Sequence, residues 1–134
     1  MGASEIVEQY EQTWKNKDSA GMVACYAPGG TYNAPGADHL TGAAIGEFAE
    51  VFMTAFPDYV YTWKVVAASA DAVAADWVFE SGPMKGELMG IAPTGGSSVV
   101  RGAHTIRLAG DKIASVEAYW DNQSFLTDLG IKLG

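Results

Sequence analysis

FPDYVYTWKVVAA, residues 56–68, is the stretch in which the apolar side chains change their spacing. Just before it, from Ile45 onward, apolar residues recur at steps of three and four, which predicts a helix that ends at Pro57. From Tyr59 onward every second residue is aromatic or apolar, which predicts a strand with one face in the core. The chain is therefore predicted to change here from helices to a sheet.

Two further helices are predicted nearer the N-terminus. Apolar residues at four-residue steps predict an amphipathic helix over residues 5–16. Asp18 can cap a second helix over residues 19–27, and Thr41 can cap the third, because both side chains accept hydrogen bonds from the free amides of a helix N-terminus. One extended run is predicted between the second and third helices, at residues 31–33.

Alternation continues through the second half of the chain. It predicts strands over residues 73–79, 97–108 and 112–120, a short glycine-bounded segment at 84–91, and a tight turn at Gly110-Asp111. Helices followed by consecutive antiparallel strands are typical of an α+β fold. We therefore predict N-terminal helices packed on one face of a curved antiparallel sheet, with a cone-like pocket between them.

The bulk composition limits the number of domains and the kinds of partner. The chain, residues 1–134, fits a single domain, and its 49% hydrophobic and 18% charged residues are typical of a packed globule. The 8 basic and 16 acidic residues give a net charge of −8, the wrong sign for attraction to nucleic acid or to an anionic membrane surface. We therefore expect neither nucleic acid nor a membrane as a partner.

The cysteine content and the apolar segments predict the location. Cys25 is the only cysteine, so no disulfide bond can form within the chain. The most apolar stretch, residues 65–79, contains Asp71 and Asp76 and is shorter than the ~20 residues that a membrane-spanning helix needs. These features predict a cytoplasmic protein.

The sequence has no motif for a metal or an organic cofactor. His39 and His104 lie in unlike contexts, and neither belongs to a run with metal-ligand spacing such as HExxH. No GxSxG, GxxxxGK[ST] or GxGxxG pattern occurs. We therefore expect no metal and no cofactor. What remains is a pocket of aromatic and aliphatic side chains that suits a hydrophobic small molecule and proton transfer.

Several short motifs stand in one register along nearly the whole chain. They are Phe56-Pro57-Asp58, Trp77, Gly90-Ile91-Ala92-Pro93-Thr94-Gly95, Gly110-Asp111-Lys112-Ile113, Tyr119-Trp120-Asp121 and Leu129-Gly130. In this set the chain resembles the SnoaL-like polyketide cyclases, a branch of the NTF2-like superfamily. The resemblance implies an α+β cone with an internal pocket, a homodimer, and cofactor-free acid/base catalysis. The reaction that it implies is an intramolecular aldol cyclisation or an isomerisation of an apolar polyketide-like or polycyclic ketone.

One departure from the family pattern keeps a second function open. Many members have GTHTG before the PTG turn, whereas this chain has Gly82-Pro83-Met84-Lys85-Gly86, with Met84 in place of the histidine. The alternative is a noncatalytic NTF2-like dimer that binds a hydrophobic small molecule without converting it.

Asp121 has two interpretations that do not exclude each other. It precedes a predicted short helix, where aspartate is among the best N-cap residues, and strand alternation places it with Glu117 and Tyr119 on the less apolar face. The resemblance instead places the Tyr119 and Asp121 face in the cone, because the family's acid/base aspartate matches Asp121. On that basis Asp121 is the predicted catalytic residue, with a pKa raised by burial.

The remaining site residues are predicted from their place on the cavity-facing side. His104 shares the apolar face of its strand, where a neutral imidazole can orient a ligand carbonyl, so it is the second predicted catalytic residue. Large aromatic and sulfur side chains can serve both as core and as ligand contacts. The predicted ligand-binding residues are Trp77, Trp63, Tyr32, Met84 and Tyr119.

Overall fold

The computed structural model describes residues 2–132 and shows helices and one six-stranded sheet. The helices are α1 (Ala3–Lys15), α2 (Ser19–Ala24), α3 (Ala43–Ala55) and α4 (Asn122–Asp128). The strands are β1 (Tyr26–Ala34), β2 (Ala37–Thr41), β3 (Val60–Ala68), β4 (Ala72–Glu80), β5 (Val99–Ala109) and β6 (Lys112–Trp120). The predicted α+β class is confirmed.

The sheet is mixed rather than purely antiparallel. Its strand order is β2-β1-β6-β5-β4-β3. After the β1–β2 hairpin, α3 carries the chain to the far edge, and the strands then meander back until β6 lies beside β1. These two strands run in the same direction, so their pairing is parallel, while all other pairs are antiparallel. The predicted wholly antiparallel sheet is therefore wrong for this one pair.

Two predicted segments differ in the structure for identifiable reasons. The second helix ends at Ala24, because the next residues enter β1 and Tyr26 pairs with β6. The segment 84–91 is not a strand of the sheet. Its backbone bonds partly to the end of α3 instead, where the Lys85 amide donates to the Ala55 carbonyl at 2.8 Å.

Alternation along the strands gives the sheet two unlike faces. The inner face is buried against α1 and α3, as with Val73 of β4 and Ile106 of β5, which are 1% and 0% exposed. Full burial of an aliphatic side chain of this size stabilises the fold by ~1.5–3 kcal/mol. Residues that point to the outer face, such as Asp76, Arg101 and Tyr119, are exposed. The core therefore lies on one side of the sheet.

None of the helices within residues 2–132 is long and apolar enough to cross a membrane.

Candidate functional site

A narrow cavity lies between the inner face of the sheet and helices α1, α3 and α4. Its free volume is about 40 Å³, which is room for roughly three water molecules. None of the described residues that line it is charged. The lining consists of Trp14, Tyr32, Phe48, Phe52, Tyr61, Trp77, Phe79, Val100, Trp120 and Phe125.

A glycine on β5 makes room for one of the cavity's tryptophans. Gly102 pairs with Trp77 on β4 and with Trp120 on β6, and the two indole rings meet edge to face at 5.8 Å. A Cβ atom at Gly102 would lie 2.2 Å from Cζ2 of Trp77. The indole can therefore lie across the sheet only because this position has no side chain.

His104 lies on the inner face of the sheet but is not one of the residues that line the cavity. Its neighbours on the adjacent strands are the small residues Ala75 and Ala118, and the ring of Trp63 packs edge-on against the imidazole with centroids 4.2 Å apart. The side chain is only 4% exposed, so its predicted core-facing orientation is confirmed. Its predicted catalytic role stays a prediction.

Burial makes His104 a neutral group. It lowers the pKa of His104 to about 4, because the charged imidazolium loses its hydration. Nε2 of this imidazole and the indole N–H groups of Trp63 and Trp77 are buried without a hydrogen-bond partner among residues 2–132. A neutral imidazole has one donor and one acceptor nitrogen, and an indole only donates. Each of these groups can therefore form a hydrogen bond with a neutral oxygen, but only Trp77 among them lines the cavity.

Several buried phenols add further hydrogen-bonding groups to the interior. The hydroxyls of Tyr10 and Tyr26 form a hydrogen bond of 2.5 Å. Burial raises the pKa of Tyr10 to about 12, and it raises the pKa of Tyr32 and of Tyr61 well above the usual value. Tyr32 and Tyr61 line the cavity, so its wall contains protonated phenols that can donate a hydrogen bond.

Asp121 caps α4 and lies outside the cavity. Its carboxylate accepts hydrogen bonds from the Ser124 amide at 3.0 Å and from the Ser124 hydroxyl at 2.7 Å, and its side chain is exposed. These bonds lower the pKa of Asp121, the opposite of the predicted shift. The predicted cavity position is therefore wrong. The inward direction of Trp120, the preceding residue, is the reason, because successive strand residues point to opposite faces.

The five predicted ligand contacts divide between three environments. Tyr32 and Trp77 line the cavity, and their role as ligand contacts stays a prediction. Trp63 and Met84 lie outside the lining: Trp63 packs on His104, and Met84 is 1% exposed in the core near Thr94. Tyr119 lies on the outer face and is 64% exposed, so its predicted cavity position is wrong for the same reason as that of Asp121.

The aromatic residues of the helices were missed as site residues. Phe48 and Phe52 of α3 and Phe125 of α4 line the cavity. The sequence contained a signal for the first two, because their four-residue spacing puts them on one helix face, but that pattern predicts a core helix equally well. Phe125 lies in a short helix whose docking depends on the rest of the fold.

Within residues 2–132, no group of three or more histidine, cysteine, aspartate or glutamate side chains is placed to hold a metal ion.

The fold and the aromatic cavity define an NTF2-like cone, and the sequence comparison gives the family. The profile of the SnoaL-like polyketide cyclases matches residues 4–129. The chain therefore belongs to the SnoaL-like polyketide cyclase family. No curated protein gives a significant match to the chain.

Solved structures with the same fold cover nearly the whole chain. AclR, a candidate hydroxylase from Streptomyces galilaeus, is 21% identical with a TM-score of 0.80 and covers 98% of this chain and 86% of its own. A candidate polyketide cyclase from Xanthomonas campestris is 18% identical with a TM-score of 0.79, and the match covers 95% of this chain and 96% of that protein. A protein of ketosteroid isomerase-like fold from Catenulispora acidiphila, in complex with trimethylamine, is 20% identical with a TM-score of 0.80 and coverages of 98% and 96%. At these identities the likeness shows the fold alone, and it confirms the predicted cone.

Proposed function

We propose that the cavity binds a neutral, apolar ring compound that has a ketone or hydroxyl oxygen. The observation that carries this proposal is the composition of the cavity lining. Ten aromatic or aliphatic residues line it, and none of the described lining residues is charged. Ligand pockets are mostly apolar, with a few polar groups that fix the ligand's orientation. Membership in the SnoaL-like family supports a polyketide-like or polycyclic ketone as the ligand class.

The polar groups of the interior match a neutral ligand better than an anion. The Tyr32 and Tyr61 phenols stay protonated, and His104 is uncharged at neutral pH. The unpaired indole N–H groups are also neutral donors. A ketone oxygen accepts hydrogen bonds from such groups, and it loses less hydration on burial than a carboxylate does.

Anthrone, a tricyclic ketone, and anthracene, its hydrocarbon counterpart, test this proposal through quenching of tryptophan fluorescence. We expect anthrone to bind, and Tyr32→Phe to weaken its binding about fivefold, since a net hydrogen bond contributes ~1 kcal/mol. Anthracene affinity should be the same in both proteins. Tyr119→Phe, on the outer face, is the matched control. Absence of saturable quenching by either compound would refute binding in the cavity.

A second candidate function is catalysis without Asp121. The family match and the unpaired Nε2 of His104 favour it, because a neutral imidazole can accept a proton from an acidic ligand carbon. His104 lies outside the cavity lining, so this function requires a ligand that extends beyond the cavity. Cyclisation or isomerisation of a polyketide-like ketone would then use His104 in the place of the family's aspartate.

Turnover of aromatic polyketide precursors separates binding from catalysis. For the catalytic candidate we expect Asp121→Asn to keep the wild-type rate and His104→Phe to lose at least a hundredfold, within the range of general acid/base contributions. A large loss in Asp121→Asn would return the catalytic role to the aspartate. If the ligand is recovered intact after incubation with the wild type, the protein binds it without catalysis.

We also propose that the outer face of the sheet pairs with a second copy of the chain. Lys64 and Asp76 are opposed across β3 and β4, so two copies related by a twofold axis can match opposite charges. Val99 and Tyr119, 60% and 64% exposed, supply apolar area on this face. Sedimentation should show a dimer that Tyr119→Glu dissociates. An unchanged mass in that variant would place the contact elsewhere.

A further inference from the structure

The cavity is too small for the ligand class proposed above. A dry cavity that binds benzene has a volume of ~150 Å³, and the pockets of drug-sized ligands have ~300–1,000 Å³. The free volume here is about 40 Å³. A ring compound can therefore enter only if a lining side chain leaves its position.

Phe125 is the lining side chain whose supporting element has the least buried surface. It is 3% exposed, and its ring lies 5.7 Å from that of Phe56 and 6.4 Å from those of Phe52 and Phe79. It is also the only buried residue of the seven-residue helix α4. The other cavity-lining helices, α1 and α3, each bury five residues. Displacing α4 therefore exposes the least apolar surface of the three.

α4 contacts the rest of the fold through polar bonds at its C-terminal end and through two buried apolar side chains, Phe125 and Leu129. Asp121 caps its start through the amide and hydroxyl of Ser124. At its end the Ser98 hydroxyl donates to the Asp128 carboxylate at 2.7 Å, and the Thr94 hydroxyl donates to the Leu129 carbonyl. Hydrogen bonds of this kind can be exchanged for bonds to water with a small net change in free energy. Displacement of α4 therefore takes Phe125 and Leu129 out of one core cluster and leaves intact the other cluster, which contains buried residues of α1.

We propose that Phe125 determines the size of ligand that the cavity admits, and that α4 is the lid that moves it. Asp121 is then a positioning residue: it stabilises the first turn of α4 as its N-cap and does not contact the ligand. This inference rests on the proposed binding function for its ligand. The movement of the lid itself can be measured without any ligand.

Backbone hydrogen exchange tests the lid in the free protein. The Phe125 amide donates to the Asp121 carbonyl and the Leu129 amide to the Phe125 carbonyl, while the Phe56 amide closes the last turn of α3. We expect the two α4 amides to exchange at least a hundredfold faster than the Phe56 amide. Asp121→Ala should accelerate them severalfold further. Asp121→Asn should not, because asparagine is an equally good cap. Equal protection of the α4 and α3 amides from exchange would contradict the proposal that α4 is a lid.

Stopped-flow association of anthrone tests the role of Phe125. Phe125→Ala should bind at least tenfold faster than the wild type, because the ring no longer has to leave the cavity. Phe125→Leu, which removes less volume and is better tolerated in a core, should lie between the two. Leu126→Ala is the matched control, because Leu126 lies on the same helix outside the cavity lining.

The two experiments distinguish the possible failures. If α4 is protected like α3 while anthrone still binds, the lid is wrong and the binding function stands. If anthrone binds at one rate in the wild type and in the Phe125 variants, Phe125 does not control entry. If α4 opens but no Phe125 variant binds anthrone, the binding function fails, and the size-determining role of Phe125 fails with it.

Discussion

At the scale of single residues, His104 makes the stability of the fold depend on pH. The unfolded chain exposes this imidazole with its usual pKa of about 6.5, while the folded protein holds the pKa at about 4. Between these values the unfolded state binds more protons than the folded state, so the free energy of unfolding rises with pH across that window. The stability that depends on a neutral His104 is therefore lost as the pH falls from 6.5, and the loss is complete below pH 4.

We expect His104 to contribute ~3 kcal/mol of stability loss between pH 6.5 and pH 4, at ~1.4 kcal/mol for each unit of pKa difference. Urea unfolding across this range measures the loss. His104→Phe keeps a ring against Trp63 and removes the titrating group. The free energy of unfolding of this variant should therefore fall ~3 kcal/mol less than that of the wild type between pH 6.5 and pH 4. Ala103→Ser, an exposed residue that does not titrate, is the control and should keep the wild-type slope. Parallel curves for wild type and His104→Phe would contradict the assignment.

Gly102 shows how one missing side chain shapes the cavity wall. In Gly102→Ala the new methyl would meet the Trp77 ring at 2.2 Å, and the ring would have to move within a packed aromatic cluster. We expect a loss of ~1–3 kcal/mol in the free energy of unfolding, the usual range for overpacking. Ala103→Ser, the next residue and exposed, should change stability by less than ~0.5 kcal/mol. Chemical denaturation of both variants makes the comparison.

At the scale of elements, the edge strand β3 contains a bulge that predicts which deletion the sheet tolerates. Val65 pairs with Ala75 and Ala67 with Ala74, so Val66 is an extra residue without a partner. Deleting Val66 should leave a regular ladder and a folded protein, with more self-association because bulges protect edges. Thermal unfolding and light scattering check both effects.

The control for that deletion is the removal of Val78 from β4. This strand pairs regularly with both neighbours near residue 78, so no extra residue can absorb the change. Deletion there turns either Trp77 or Phe79 away from the core, since a shift of one residue reverses the faces. We expect no folded protein. Equal folding of the two deletions would contradict the register described above.

The same elements show what could be predicted from sequence. Periodicity located α1, α3 and the inner face of β4 and β5, because helix and strand spacings are local properties. The pairing of β1 with β6 could not be predicted from spacing, since it joins residues far apart in the chain. In Asp121 the local rule was right: alternation and capping placed the carboxylate outside the cone, and the family resemblance reversed that correct result. The cavity itself was predicted, but Phe125 was not, because its position depends on how α4 docks.

At the scale of the whole molecule, binding and stability are linked. A ligand that binds only the folded state stabilises it by ~2.7 kcal/mol at a concentration of a hundred times Kd. For a chain of 134 residues we expect anthrone at that level to raise Tm by about 5–10 °C. Phe125→Ala should melt lower than the wild type without ligand and show a similar rise at a hundred times its own Kd. A Tm that does not respond to anthrone in either protein would argue against the proposed binding.

The central place of β6 in the sheet has a consequence for the order of synthesis. β6 lies between β1 and β5, yet of the strands within residues 2–132 it is the last to be made, and β1 has only the short strand β2 beside it until then. A ribosome that adds ~5–20 residues per second needs roughly 4–17 s to pass from the end of β1 to the end of β6. During that time one edge of β1 is open to chaperones and to other nascent chains. The sheet can close only after translation has passed residue 120, so the fold is completed late, by its C-terminal strand.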